Sequence, residues 1–390
     1  MGKNERQSYL KAIRPRYRKG SRRAKAVILD EFCAVCGYHR KYAIRLLSQP
    51  VRRGAPRRGG RPATYRSDAL LTPLKRIWFA ADQMCSKKLK AALPLWLPGY
   101  EAAHGRLAAD VRAQLLAVSP ATIDRLLRPA RARAGRKGLC GTRPGSLLKN
   151  QIPIRTEHWD VTQPGFMEAD TVAHCGNSLA GNFVWSLTLT DILTGWTEIR
   201  ATWNKGAVGV CAQIQAVEAG LPFALQGFDC DNGSEFLNYH LQRYFSDRPR
   251  EVAFTRSRPY RKNDNAHVEQ KNWTHVRQLF GYDRIDDAGL VPLMNDLYAH
   301  EWSLLQNHFH PAMKLVEKQR VNARYRKKYD PPRTPYQRLL DCGHLTEDAE
   351  NRLREIHESL NPFILRQSIE KKLRGIFRDI RVTSNVRQRL

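Results

Sequence analysis

The chain has 390 residues, 42% of them hydrophobic and 26% charged, and 66 Lys and Arg outnumber 37 Asp and Glu for a formal net charge of +29. That length supports two or three domains with cores of their own, and the composition excludes a disordered chain. The charge points to a polyanionic partner, with nucleic acid the default and a solvated basic surface the alternative. No apolar run reaches the ~18 residues of a membrane span, and the N-terminus has the charge but not the apolar stretch of a signal peptide. Eight scattered cysteines fit a reducing cytosol.

Charge is distributed unevenly. Residues 1–66 hold 19 Lys and Arg against Glu5, Asp30 and Glu31, whereas residues 166–239 hold only Arg200 and Lys205 against eight acids. One part of the chain is suited to gripping phosphates and another to gathering cations.

Residues 1–49 are expected to form a helix-turn-helix DNA-binding domain. Ile28, Leu29, Phe32 and Val35, then Tyr42, Ile44, Leu46 and Leu47, recur at helical spacing, and Gly37 interrupts them. The second helix, at about 38–48, would present His39, Arg40, Lys41 and Arg45 to DNA. Cys33 and Cys36 lie on one helical face beside apolar residues; a fourth zinc ligand is missing, so they read as core thiols. Residues 50–66 form a Pro/Gly/Arg linker in which Arg57, Arg58 and Arg61 flank a Gly-Arg-Pro core. It resembles an AT-hook, a minor-groove arm, with a flexible basic spacer as the alternative. Residues 67–128 form a second helical, helix-turn-helix domain. Ser119 and Pro120 mark a helix start there, and Thr122, Asp124, Arg125 and Arg128 line its exposed side. Two such units around a Gly-Arg-Pro linker resemble the bipartite DNA-binding region of mariner-type transposases. A second basic linker follows at 129–151.

From 152 to 285 the texture changes to α/β. Strands are expected at 166–172, 182–192, 195–203, 223–229 and 251–255, with helices at 207–219, from about Ser234 to Phe245, and at about 264–280. An antiparallel meander thus runs into alternating α and β elements. Residues 286–390 form a mostly helical C-terminal region: 290–330 reads as helical, ending in the basic strip Arg324, Tyr325, Arg326, Lys327, Lys328 and Tyr329, which suits a phosphate backbone. Two helices follow within 346–380, the first capped by Thr346.

The acidic residues carry the chemistry. Asp170 lies on the first strand, Asp231 just past the fourth in 228-FDCDNGSEF-236, and Glu269 on the helix after the last. If the first and fourth strands are neighbours, the two aspartates meet at one edge and the helix adds Glu269 above them. Three carboxylates so close repel one another unless protons or cations intervene. Hard oxygen ligands suit Mg²⁺, with Mn²⁺ as substitute, and two such ions can activate an attacking oxygen and stabilise a leaving one in a phosphodiester. Asp229, two residues earlier on the strand, is the rival second ligand. Glu235 and Asp191 read as structural or surface residues, and His267 as a surface residue close to Glu269.

The three segments FMEADTVAH, FDCDNGSEF and RPYRKNDNAHVEQKNW resemble the catalytic core of DDE transposases and retroviral-type integrases, bacterial insertion-sequence transposases above all. Residues 160–285 carry the resemblance. The carboxylates are 61 and 38 residues apart, the second interval slightly longer than is usual in the family. The resemblance implies a ribonuclease-H-like (integrase) core and assigns Asp170, Asp231 and Glu269 as catalytic metal ligands for two Mg²⁺ ions. It implies binding of double-stranded element ends and target DNA by a homo-oligomer in the bacterial cytoplasm at the nucleoid. Asn272 matches a common polar position of the family. Where the family often has Lys or Arg, Val276 stands here, so Lys271, His275 and Arg277 are the expected substitutes, and with Asn272 they are expected to contact DNA from this helix. The function implied is metal-dependent strand cleavage and strand transfer. The alternative is a domesticated, non-catalytic transposase acting as a DNA-binding repressor.

Overall fold

A computed structural model describes residues 2–49, 65, 68–134, 161–230, 233, 235–256, 266–321 and 324–387. Two compact units make up the chain, Met1–Thr64 and Tyr65–Leu390.

In the first unit three helices, α1 (Lys3–Lys19), α2 (Arg22–Cys36) and α3 (Arg40–Ser48), enclose a small core. Ile13 and Tyr17 of α1 pack against Ile28, Leu29, Phe32 and Cys36 of α2 and Ala43 and Leu47 of α3. Ser21 caps α2 by accepting the Ala24 N–H, and Gly37 ends it with φ +67°, a left-handed conformation that glycine adopts without steric cost. Helix α1 was not expected from the sequence, although Leu10, Ile13 and Tyr17 have helical spacing. Three expected core positions are corrected. Val35, Tyr42 and Ile44 are 48%, 40% and 40% exposed, and α3 instead turns the smaller Ala43 inward with Leu47 one turn later. Cys36 sits in the core, as expected of a structural thiol.

The second unit begins with four helices, α4 (Asp68–Ala80), α5 (Ser86–His104), α6 (Ala109–Ala117) and α7 (Pro120–Arg133); Ser119 caps α7 with Pro120 at its first position. A five-stranded sheet follows, ordered β3 (Thr197–Trp203), β2 (Val184–Asp191), β1 (Phe166–Ala173), β4 (Gly227–Cys230), β5 (Ala253–Arg256). The first three strands form the antiparallel meander; β4 and β5 join in parallel after α8 (Ala207–Gly220) and α9 (Tyr239–Ser246). The expected helix from Ser234 instead starts at Tyr239, where Asn238 caps it by accepting the Leu241 N–H at 3.0 Å. Gly165, before β1, has φ +110°, and a Cβ there would stand 2.2 Å from the Ala224 carbonyl oxygen. Only glycine lets the start of β1 approach the start of β4 so closely.

Each face of the sheet has a core. Met167 and Ala169 of β1, Leu187 and Leu189 of β2, and Phe228 and Cys230 of β4 pack with α8 and α9. The opposite face meets α10 (Ala266–Lys271), which continues through a π-helical segment (Asn272–Arg277) into α11 (Gln278–Phe280). Behind these lie α12 (Leu290–Leu297), a second π-helical segment (Tyr298–Trp302) and α13 (Ser303–Phe309). The chain then makes a hairpin of β6 (Leu315–Val321) and β7 (Arg324–Tyr329), followed by α14 (Pro335–Asp341), α15 (Glu347–Ser359), capped by Thr346, and α16 (Pro362–Arg387). The helical reading of 290–330 is therefore corrected at its end, where the basic strip is a β-ribbon. Residues 67–128, set apart in the sequence, share one core with Val172, Val184 and Ile199 of the sheet and with the C-terminal helices. Trp96 Nε1 donates to Phe309 O at 3.0 Å across that core. No helix among the described residues is long and apolar enough to cross a membrane.

Candidate active site on the central sheet

Glu168 and Asp170 alternate with Met167 and Ala169 along β1, so they share the face that carries α10. Both are tied to that helix. The Val268 N–H donates to Glu168 Oε2 at 3.0 Å, and Asn272 Nδ2 donates to Asp170 Oδ2 at 2.6 Å. The Thr171 N–H donates to Asp170 Oδ1 at 2.7 Å. Glu269 lies one position past Val268 and three before Asn272, exposed on the helix surface. Helical neighbours three apart stand on one face, so Glu269 belongs to the same edge of the helix as the residue that holds Asp170.

The parallel pairing of β1 and β4 runs Phe166↔Gly227, Met167↔Phe228, Glu168↔Asp229 and Ala169↔Cys230. The next residues along the chain are Asp170 and Asp231. Asp231 lies outside the described residues, as do Arg57, Arg58 and Arg61. Among the described residues, no group of three His, Cys, Asp or Glu side chains forms a metal centre. Asp229 is 8% exposed and accepts the Thr255 hydroxyl at 2.7 Å, a bond within the sheet. Glu235 is buried, ion-pairs with Lys205 at 2.5 Å and accepts the Thr171 hydroxyl at 3.1 Å, which straps the segment after β4 onto β1. Asp191 is buried and accepts the Gly165 and Thr194 N–H groups at 2.8 and 2.7 Å; burial raises its pKa. Arg200 pairs with Glu198 at 3.3 Å. Both basic residues of the acidic stretch are thus engaged by Glu198 and Glu235.

The residues expected to touch DNA divide, and His275 is corrected: it is buried, with its Nδ1 2.7 Å from the Thr274 hydroxyl. Lys271 is half-buried and donates to Gly195 O at 3.2 Å. Burial, with Lys88, Lys314 and Arg338 nearby, lowers its pKa to about 7. Arg277 stacks its guanidinium over the Tyr282 ring at 4.7 Å. In the first unit His39, Arg40, Lys41 and Arg45 are exposed at the start and along α3, with Arg40 paired to Asp30 and Arg45 lying 5.0 Å over the Tyr42 ring. Arg125 and Arg128 are exposed on α7, Arg125 donating to Thr122 Oγ1 at 2.9 Å. Asp124 beside them is bound by Ser86 and Arg131, whose hydrogen bonds outweigh partial burial and lower its pKa.

No protein-family model matches the chain. It is 42% identical over 334 residues to the uncharacterized protein y4rM of Sinorhizobium fredii (strain NBRC 101917 / NGR234), an overlap of 84% of this chain and 93% of that one. The chain belongs to the y4rM family. An overlap of that length extends well beyond the sheet, so the y4rM relationship takes in helical regions as well. Among solved structures the chain is similar to the catalytic core domain of BIV integrase, with 14% identity and a TM-score of 0.28 over 46% of this chain and 96% of that one.

Sequence reasoning missed Glu168, although its position two residues before Asp170 on one strand was a signal of a shared face. It also missed that Asn272 is a ligand of Asp170 within the protein. In this y4rM-family chain the carboxylate of Asp170 is held at both oxygens, Oδ1 by the Thr171 amide and Oδ2 by Asn272.

Proposed function

We propose that this protein is a DNA transposase with a ribonuclease-H-like core. Its helical N-terminal regions recognise the ends of a mobile element, and Asp170, Asp231 and Glu269 form the site that cleaves and joins strands. The observation that carries the reading is the bond from the helix of Glu269 to Asp170, beside the parallel β1–β4 pairing. The β1–β4 pairing leads into Asp170 and Asp231, and Asn272, one turn past Glu269, is bonded to Asp170. The net charge of +29 supplies the affinity for a polyanion.

The donor set suits Mg²⁺ or Mn²⁺. It consists of hard oxygens, and beside Asp170 the Asn272 Oδ1 is buried with no hydrogen-bond partner among the described residues. Bound by Asp170, Asp231 and Glu269, two divalent ions would polarise the scissile phosphate and lower the pKa of the attacking hydroxyl or water. The protein itself holds the carboxylates in place: Asn272 and the Thr171 amide orient Asp170, and Glu168 fixes the start of α10. Cleavage exposes a 3′-hydroxyl, which then attacks target DNA; each step is a displacement at phosphorus without a protein nucleophile. Two ends must be joined to one target, so the working form is a homo-oligomer on DNA.

The test is a strand-cleavage and joining assay on terminal-repeat DNA with Asp170→Asn and Glu269→Gln. Both variants should lose joining by about three orders of magnitude, as expected when several kcal/mol of transition-state stabilisation is removed, while still binding the repeat DNA. Full joining by either variant would refute the site. Binding without cleavage by the wild-type protein would favour a DNA-binding repressor, and nicks without joined products a nuclease.

A further inference from the structure

Among the described residues the β6–β7 hairpin contributes none to a core, and all of its described side chains but the half-buried Lys318 and Tyr325 are exposed. Residues 315–329 hold six Lys and Arg against Glu317 alone. The register sets Lys318 opposite Lys327, Gln319 opposite Arg326 and Arg320 opposite Tyr325. By alternation Lys318, Arg320 and Lys327 share one face with no acid on it, and Lys318 Nζ stands 4.4 Å from the Tyr325 ring centroid. Like charges directly opposite each other destabilise a ribbon, and a lone two-stranded ribbon is marginal in water. One or two lysines would be enough to discourage edge-to-edge pairing. A ribbon this basic is stabilised by an anion that neutralises it.

The hairpin has a rigid root. Lys314 N donates to Asp330 Oδ1 at 2.6 Å, Asp330 N donates to Lys314 O at 3.0 Å, and Arg338 pairs with Asp330 at 2.6 Å. Lys314 Nζ donates to the carbonyls of Ile192 and Leu193 in the β2–β3 turn. Lys271, two residues past Glu269, donates to Gly195 O in that same turn. The ribbon and the helix bearing Glu269 are therefore fixed to one short loop. Seven residues of strand reach about 22 Å, roughly six base-pair rises of 3.4 Å.

We infer that the hairpin is an arm that grips the phosphate backbone of duplex DNA, without regard to base sequence. The choice of duplex DNA as the occupant rests on the transposase reading. The test measures binding of a random-sequence duplex by fluorescence anisotropy across about 50 to 200 mM salt, without divalent metal. Substituting Lys318→Ala, Arg320→Ala and Lys327→Ala together should lower the slope of log affinity against log salt by about 2 to 3, since each phosphate contact contributes about one. The swap K318R/R320K/K327R should restore it. A control that removes the same charge from exposed positions of α16, K371A/R374A/R378A, should keep the wild-type slope. An unchanged slope in the arm variant, an equal loss in the control, no restoration by the swap, or a loss seen only with single-stranded DNA or polyglutamate would overturn the arm. Strand joining by the same wild-type preparation tests the other reading separately. A duplex slope that depends on the arm in a protein that never joins strands would uphold the arm and sink the transposase.

Discussion

Asp170 accepts hydrogen bonds from the Thr171 amide and from Asn272, and both bonds help to orient its carboxylate. A carboxylate that must present an oxygen to a cation gains from such support, because outer partners orient inner ligands. Asn272→Ala should therefore raise the Mg²⁺ concentration for half-maximal cleavage by about 10- to 100-fold, with a loss of stability of only about 1 kcal/mol. A metal titration of the cleavage rate beside a urea unfolding curve checks both. Unchanged metal dependence would reduce Asn272 to a packing residue. Asp170 and Glu269 were singled out in the sequence because their segments have a recognisable order and texture, and the structure sets Asn272, three residues past Glu269, against Asp170. Asn272 was legible as a polar residue but not in its partner. The π-helical turn that begins at Asn272 alters the angular relation between successive side chains, and no spacing rule applied to one sequence reveals such a turn. Lys271 was expected on DNA for its charge alone, yet its stem is half-buried and its amine bonds to Gly195.

The elements differ in how plainly they are written. The sheet strands were legible because β-branched and aromatic residues alternate between glycine turns, and the adjacency of β1 and β4 that the carboxylates require is present. The hairpin was not legible. A run of Lys, Arg and Tyr has neither a helical nor a strand-like apolar period, and the ribbon forms because the Lys314–Asp330 pair closes its base. Helix α13 ends in a buried aromatic stack where His308 lies 5.0 Å from Tyr336 and 3.2 Å, between Nδ1 atoms, from His357. Burial pushes the pKa of His308 down to about 3, and its Nε2 has no hydrogen-bond partner among the described residues. His308 is thus neutral in the folded state at pH 4 to 6.5, while the unfolded chain takes up a proton there. The unfolded state binds more protons, so stability present above pH 6.5 is lost as pH falls towards 3, by at most about 1.4 kcal/mol per pH unit for this group. His308→Phe keeps a ring in the stack. Urea midpoints measured between pH 7 and pH 4.5 should fall less steeply for that variant than for the wild type, and parallel curves would exclude His308 as a contributor.

At the scale of the whole molecule, the division into Met1–Thr64 and Tyr65–Leu390 follows the charge only in part. The strongly basic first unit could be read from composition and the regular turn at Gly37. The union of residues 68–133 with the C-terminal helices could not, because it depends on contacts such as Trp96 to Phe309 and Asn361 Nδ2 to Gly99 O that join positions more than 200 residues apart. That union gives the sheet face bearing Asp170 a broad helical backing, which suits a site whose carboxylates must hold still against their own repulsion. The most direct trial compares Asp231→Asn with Asp229→Asn in Mn²⁺-dependent cleavage of terminal-repeat DNA. Asp229 is already bonded to Thr255 within the sheet, whereas Asp231 follows the last paired residue of β4. Loss of cleavage in Asp231→Asn with activity kept in Asp229→Asn is the expected result; cleavage that survives in Asp231→Asn would contradict a catalytic site built from Asp170, Asp231 and Glu269.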